Sequence, residues 1–243
     1  MTITPNSGQS QLSESRRLLQ PLLAPATNRA RIIGTAAIGI VVVLIVGLSI
    51  RTSHFDFALV QFLNGHHHGA VASVTNAIYT IFGPGPAIVG TVVLTGIILA
   101  VTRNLRVAST FAATIAATWV SLAVIKLIVH RPRPDASLLP FPFNPPQVDA
   151  SYPSGHAAFV TALVVTIVLG TVIGRTRWIA GIIGGLLILG VGTALVIDGV
   201  HFPSDVIASI VWGIVIAPLA RMLWVAVLDR IDAARSRQDP TSD

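Results

Sequence analysis

The sequence predicts an all-α, polytopic membrane protein, a bundle of six transmembrane helices, and three observations carry that prediction. Of 243 residues, 53% are hydrophobic and only 11% are charged, and the mean hydropathy of +0.77 lies well above that of soluble globular chains. Apolar runs recur that can cross a hydrocarbon core of roughly 30 Å at about 1.5 Å per residue. Arginines gather between alternate runs, as expected of a chain that threads a membrane in a fixed sense.

The first span covers residues 32–50. A polar stretch with Arg16, Arg17, Arg29 and Arg31 precedes it; this flank is too long for a cleaved signal peptide, so the span is expected to be an uncleaved anchor. In "SHFDFALVQFLNG", Phe55, Leu59 and Phe62 recur at helical spacing and suit a short helix lying in the interface. "FGPGPA" (residues 82–87) lacks the lysine and spacing of a phosphate loop and reads as a bend into the second span, 84–101.

The third span is 107–129, the fourth 155–174, the fifth 178–197 and the sixth 206–227. Pro218 and Arg221 interrupt the last, so a kink is expected there, with Arg221 snorkelling to the interface. Residues 1–19 and 233–243 have the composition of disordered ends. The expected organisation is an N-terminal tail (1–31), one six-span domain (32–227) and a C-terminal tail (228–243).

If the N-terminus is cytoplasmic, the inner segments carry Arg103, Arg106, Arg175, Arg177, Arg230, Arg235 and Arg237 besides the four N-terminal arginines. The opposite loops hold only Arg51, Arg131 and Arg133. This bias places both termini in the cytoplasm of a cell-membrane protein. The net charge of +6 comes largely from these flanks, which fits contact with anionic membrane lipids and not nucleic acid. With no cysteine, a thiolate nucleophile, a disulfide and a Cys-ligated metal are all excluded.

The outer segments (54–83, 130–152 and 198–205) collect the unusual polar residues. Lys126, the single lysine, follows nineteen uncharged residues and precedes "HRPRP". An ammonium near a span end is costly unless it meets an anion. Lys126 as a point charge and Arg133 as a bidentate fork suit a phosphate. In "YPSGHAAF", Ser154 can cap a helix whose first NH groups Gly155 leaves open to an anion, and His156 in the first turn can offer a proton. In "GVHFPSD", His201 and Asp205 stand four apart. A carboxylate holding one ring NH leaves the other nitrogen as nucleophile or base.

Lys126 with Arg133 and Pro134, then Pro153, Ser154, Gly155 and His156, then His201 and Asp205: this pattern resembles the type-2 phosphatidic acid phosphatase superfamily, which includes vanadium haloperoxidases and bacterial acid phosphatases. The resemblance departs at one place, where Ala194 and Leu195 stand for the family's Ser-Arg. Arg131 is the expected substitute for that arginine in binding phosphate. The resemblance implies His201 as nucleophile, forming a phosphohistidine, Asp205 as its orienting partner and His156 as the proton donor. It also implies phosphate binding by Lys126, Arg133, Ser154 and Gly155, with no cofactor or metal. The implied substrate is a lipid phosphate at the outer leaflet: a polyprenyl mono- or diphosphate, phosphatidylglycerol phosphate or phosphatidic acid.

Two other readings compete. Leu195 in place of the arginine would suit a catalytically weak or inactive lipid-phosphate binder. A transporter is disfavoured because the polar residues lie at span ends and not at mid-membrane. The run His66, His67, His68 reads as a solvated loop, because consecutive histidines splay too far apart for one metal ion to take all three.

Overall fold

A computed structural model describes residues 19–238, and every regular element among them is helical. After a 3-10 turn at Gln20–Leu23 come α1 (Arg29–Ile50), α2 (Phe57–Asn64), α3 (Gly69–Ile81), α4 (Pro84–Thr102) and α5 (Leu105–Val129). A second 3-10 turn, Ala136–Leu138, leads to α6 (Gly155–Gly170), α7 (Arg175–Ile197) and α8 (Pro203–Gln238). Five helices, α1, α4, α5, α7 and α8, are long and apolar enough to cross a membrane. The fourth predicted span is α6, apolar but only 16 residues long.

Helix α6 is the axis of the bundle, packed by α5, α7 and α8. Nearly all of its first turns are buried, from His156 to Ala162. Close approach is possible because the neighbours present glycine. A Cβ on Gly184 of α7 would lie 2.2 Å from Val164 Cγ1, and one on Gly213 of α8 would lie 2.5 Å from Thr161 Cγ2. Helix α5 buries Thr110, Thr114 and Thr118 on one face. Each hydroxyl donates to the carbonyl four residues back, so the burial leaves no polar group unpaired. Trp212 Nε1 of α8 donates to Thr118 O and ties the two helices.

The start of each span follows from local chemistry. Asn28 and Asn104 accept from NH groups of the first turns of α1 and α5, and Ser154 accepts from Ala157 N at the start of α6. Gly83 and Pro84 open α4, as the bend reading expects. Phe55, Leu59 and Phe62 are exposed around α2, while Val60 and Asn64 face the bundle.

Three expectations need correction. Residues 233–238, expected to be disordered, extend α8, which runs on through Pro218; the other terminal residues of that expectation, apart from Leu19, lie outside the described part. Arg221 does not snorkel. It is 8% exposed and donates from Nη1 to Leu22 O and Ala24 O. His67 is buried against Phe141 O (2.6 Å) and Asn76 Oδ1 (3.0 Å), whereas His66 and His68 are exposed. Helix α3 is too short to be a span and carries Val71, Val74, Ile78 and Ile81 at helical spacing.

The helix crossings set a stability prediction. Gly184→Ala should cost about 1–3 kcal/mol by overpacking against Val164, read as a fall in the melting temperature of the detergent-solubilised protein. Gly185→Ala, where a Cβ meets nothing within 4 Å, should leave it unchanged.

Candidate active site

The three polar clusters meet at one end of the bundle, in a cleft of about 290 Å³. Lys126 and Arg133 line it on one side, Gly155, His156 and His201 on the other, and Tyr79, Phe82 and Trp119 add aromatic walls. Helix α5 ends with His130 in a left-handed conformation, its NH bonded to Lys126 O. The chain then runs through Pro132 and Pro134. In an extended proline-rich segment of about three residues per turn, side chains two apart point away from one another. Arg133 accordingly enters the cleft and Arg131 turns inward.

Arg131 is therefore not brought to the cleft, contrary to the expectation that it substitutes for the family arginine. Its guanidinium, 1% exposed, donates to Asp205 Oδ1 (2.8 Å), Ser204 Oγ (2.7 Å), Asp56 Oδ1 (3.0 Å) and Ser53 O (3.0 Å). It also lies 3.8 Å over the Phe202 ring. Asp56 closes the circle by accepting from Ser204 N (3.0 Å) and Ser204 Oγ (2.5 Å). Leu195 is fully buried in the apolar core, so no cation stands on that part of α7.

Asp205 sits behind His201. Its Oδ2 accepts from Phe202 N at 2.9 Å and lies 3.5 Å from His201 Nδ1. Arg133 Nη1 donates to Val200 O at 2.7 Å and is 3.4 Å from His201 Nε2. A guanidinium is only a donor, so Nε2 presents a lone pair and the ring proton belongs on Nδ1, facing the carboxylate. Burial, reinforced by Arg133, holds the His201 imidazole well below its usual range. The result is a neutral ring with a lone pair on the cleft side.

His156 faces His201 across the cleft, with ring centroids 6.5 Å apart, and stacks on Tyr79 at 4.4 Å. Its Nε2 is buried with no hydrogen-bond partner among the described residues. Ser154 Oγ is committed to Ala157 N, so its contribution is the cap and not a free hydroxyl in the cleft. The cap leaves the NH groups of Gly155 and His156 without partners among the described residues. With Lys126 and Arg133 they form an anion site at a helix N-terminus.

Asp149, like Tyr79, Trp119 and Gln147, was not read from the sequence as part of this site. The Asp149 carboxylate lies across both cations, 2.5 Å from Lys126 Nζ and 2.7 Å from Arg133 Nη2. Burial pushes its carboxyl up, but the hydrogen bond from Lys126 and the charge of Arg133 outweigh this and hold it at about 2. Its position seven residues before His156 is visible in the sequence; its partners are not. Asp198, in contrast, is buried away from the cleft, 3.4 Å from His67 Nε2.

Comparison with known proteins bears on the family and the fold. The sequence profile of the PAP2 superfamily matches residues 106–228. An undecaprenyl-diphosphatase of Sulfolobus acidocaldarius is 42% identical over 81 residues, which is 30% of this chain and 37% of that protein, so the match spans well under half of the relative. The crystal structure of a transmembrane PAP2-type phosphatidylglycerolphosphate phosphatase from Bacillus subtilis superposes with a TM-score of 0.65 at 19% identity. It covers 81% of this chain and 96% of the other, a likeness of fold.

Two predictions follow from the site. Asp149→Asn frees two cations from a partly exposed carboxylate, and inorganic phosphate should bind about threefold to tenfold more tightly by calorimetry. Arg131→Met leaves Asp56 and Asp205 facing each other in a buried space. It should destabilise the protein by about 3–5 kcal/mol in thermal unfolding.

Proposed function

The chain belongs to the PAP2 superfamily, and from that membership we propose that it is an integral membrane lipid phosphatase working through a phosphohistidine. The observation that carries this reading is His201: buried in the wall of the cleft, its Nε2 3.4 Å from Arg133 Nη1 and its Nδ1 3.5 Å from Asp205. Phosphoryl oxygens displace Asp149 from Lys126 and Arg133 and take the free NH groups of Gly155 and His156. His201 Nε2 attacks phosphorus, the bond to the leaving oxygen breaks, and His156 gives that oxygen its proton. Asp205 stabilises the positive ring. Water then attacks the phosphohistidine, passes its proton to His156 and releases phosphate. The cations are side chains, so this reading needs no metal.

The substrate is a phosphate monoester or diphosphate on a lipid. The cleft lies where α5 and α6 meet the membrane surface, and Phe82, Pro84 and Trp119 offer apolar contact for a tail. Relatives named for undecaprenyl diphosphate and phosphatidylglycerol phosphate support polyprenyl and glycerol lipid phosphates, with phosphatidic acid the third member of the class. The arginine bias supports a cell-membrane protein with cytoplasmic termini and the cleft on the outer leaflet. Residues 32–227 act as one catalytic unit between two tails.

A second reading, a lipid-phosphate binder with little or no turnover, draws on two observations: the apolar burial of Leu195 and the carboxylate of Asp149 on both cations. One experiment separates the two. Purified protein in detergent, without divalent metal, should release phosphate from a panel of polyprenyl and glycerol lipid phosphates, and His201→Ala should reduce the rate at least 1,000-fold, on the order of other nucleophile deletions. Lipid binding without release in the unaltered protein would establish the binder.

A further inference from the structure

The far end of the bundle holds a second cavity, of about 400 Å³, that the phosphatase reading does not use. The Gln20–Leu23 turn and the chain after it, the first turns of α1, and the second half of α8 enclose it. Arg221 lines this cavity sixteen residues beyond Asp205 on α8, about 24 Å along the helix at about 1.5 Å per residue.

Arg221 is more than nine-tenths buried, yet no carboxylate among the described residues pairs with it. Its Nη1 serves two backbone carbonyls, while Nε and Nη2 have no partner among the described residues. Arg29 lines the same cavity from the first turn of α1, which contains no acidic residue. A cation there opposes the helix dipole, which favours negative charge. Asp229, at the rim, is taken by Arg106 at 2.5 Å. The cavity thus presents two guanidinium groups and a helix start, and its one lining carboxylate, Asp229, pairs with Arg106. Its remaining walls are apolar, and Ile33 and Leu223, each about half exposed, continue them onto the outside of the bundle.

We propose that this cavity binds a phosphate-bearing anion on the membrane face opposite the catalytic cleft. The guanidinium forks match phosphate oxygens, and the apolar walls suit the glycerol and upper acyl chain of an anionic phospholipid. Occupation satisfies a buried charge and pins the N-terminal segment to α8.

The test is thermal unfolding of delipidated protein in non-ionic detergent, titrated with phosphatidylglycerol, phosphatidylcholine or inorganic phosphate, with native mass spectrometry counting bound lipid. Phosphatidylglycerol should raise the melting temperature saturably, by about 5 °C. Stabilisation by phosphatidylglycerol but not inorganic phosphate assigns a lipid headgroup; equal stabilisation by both assigns the free anion. Arg29→Gln and Ala226→Phe, which fills the cavity without touching Arg221, should abolish the shift, and Lys126→Gln in the other cleft should keep it. The proposal is overturned if phosphatidylcholine stabilises equally, if neither anion does, or if both cavity variants respond like the parent protein.

Discussion

A single buried guanidinium holds the catalytic end of this bundle together. Arg131 bridges Asp56, from the segment after α1, and Asp205, from the first turn of α8, and it comes from the chain leaving α5. Three segments distant in sequence therefore share one charge group. Desolvating charged side chains is costly, and pairing offsets that cost. Ser204, Ser53 O and the Phe202 ring add further contacts, while Arg131 Nε is buried without a hydrogen-bond partner among the described residues. Asp205 is fixed by this network before it meets His201. The orientation of His201 thus depends on an arginine that does not line the cleft.

The membrane part of the molecule answers to a different constraint. Backbone polar groups in a hydrocarbon medium must bond within their own helix, so length and apolarity largely decide the spans. Helix α6 departs from this because protein, and not lipid, surrounds it. At 16 residues it reaches about 24 Å, and Gly184 of α7 and Gly213 of α8 let those helices approach it closely. Its N-terminus delivers Gly155 and His156 to the cleft, with Ser154 holding the first turn in place.

Much of this was legible in the sequence. The span starts at Pro84 and Gly155 were read to the residue because glycine, proline and serine caps punctuate them. Lys126, Arg133, His156 and His201 were grouped correctly because each lies where an apolar run ends, and six runs leave few places for such ends to meet. What was not legible depends on distance across the fold. Arg131 and Arg133 look equivalent in "HRPRP", and only the Asp56 and Asp205 carboxylates distinguish them. Arg221 looked like a snorkelling residue until the carbonyls of Leu22 and Ala24 gave it partners. His67 looked like its two neighbours, but Phe141 and Asn76 buried it. Asp149 carried no local sign of its role at all.

The double pairing of Asp149 bears on how a catalytic cycle would end. On the phosphatase reading, the carboxylate leaves the cations when substrate arrives but remains tethered a few ångströms away, at a high effective concentration. Orthophosphate left after hydrolysis has no tether and no lipid tail to retain it. The returning side chain then competes as an internal counterion and helps to expel the product, which clears the site without a separate opening motion. It also lowers the long-range pull of the cleft on dissolved anions. On that reading, the carboxylate favours substrates that arrive by lateral diffusion in the bilayer over dissolved phosphate.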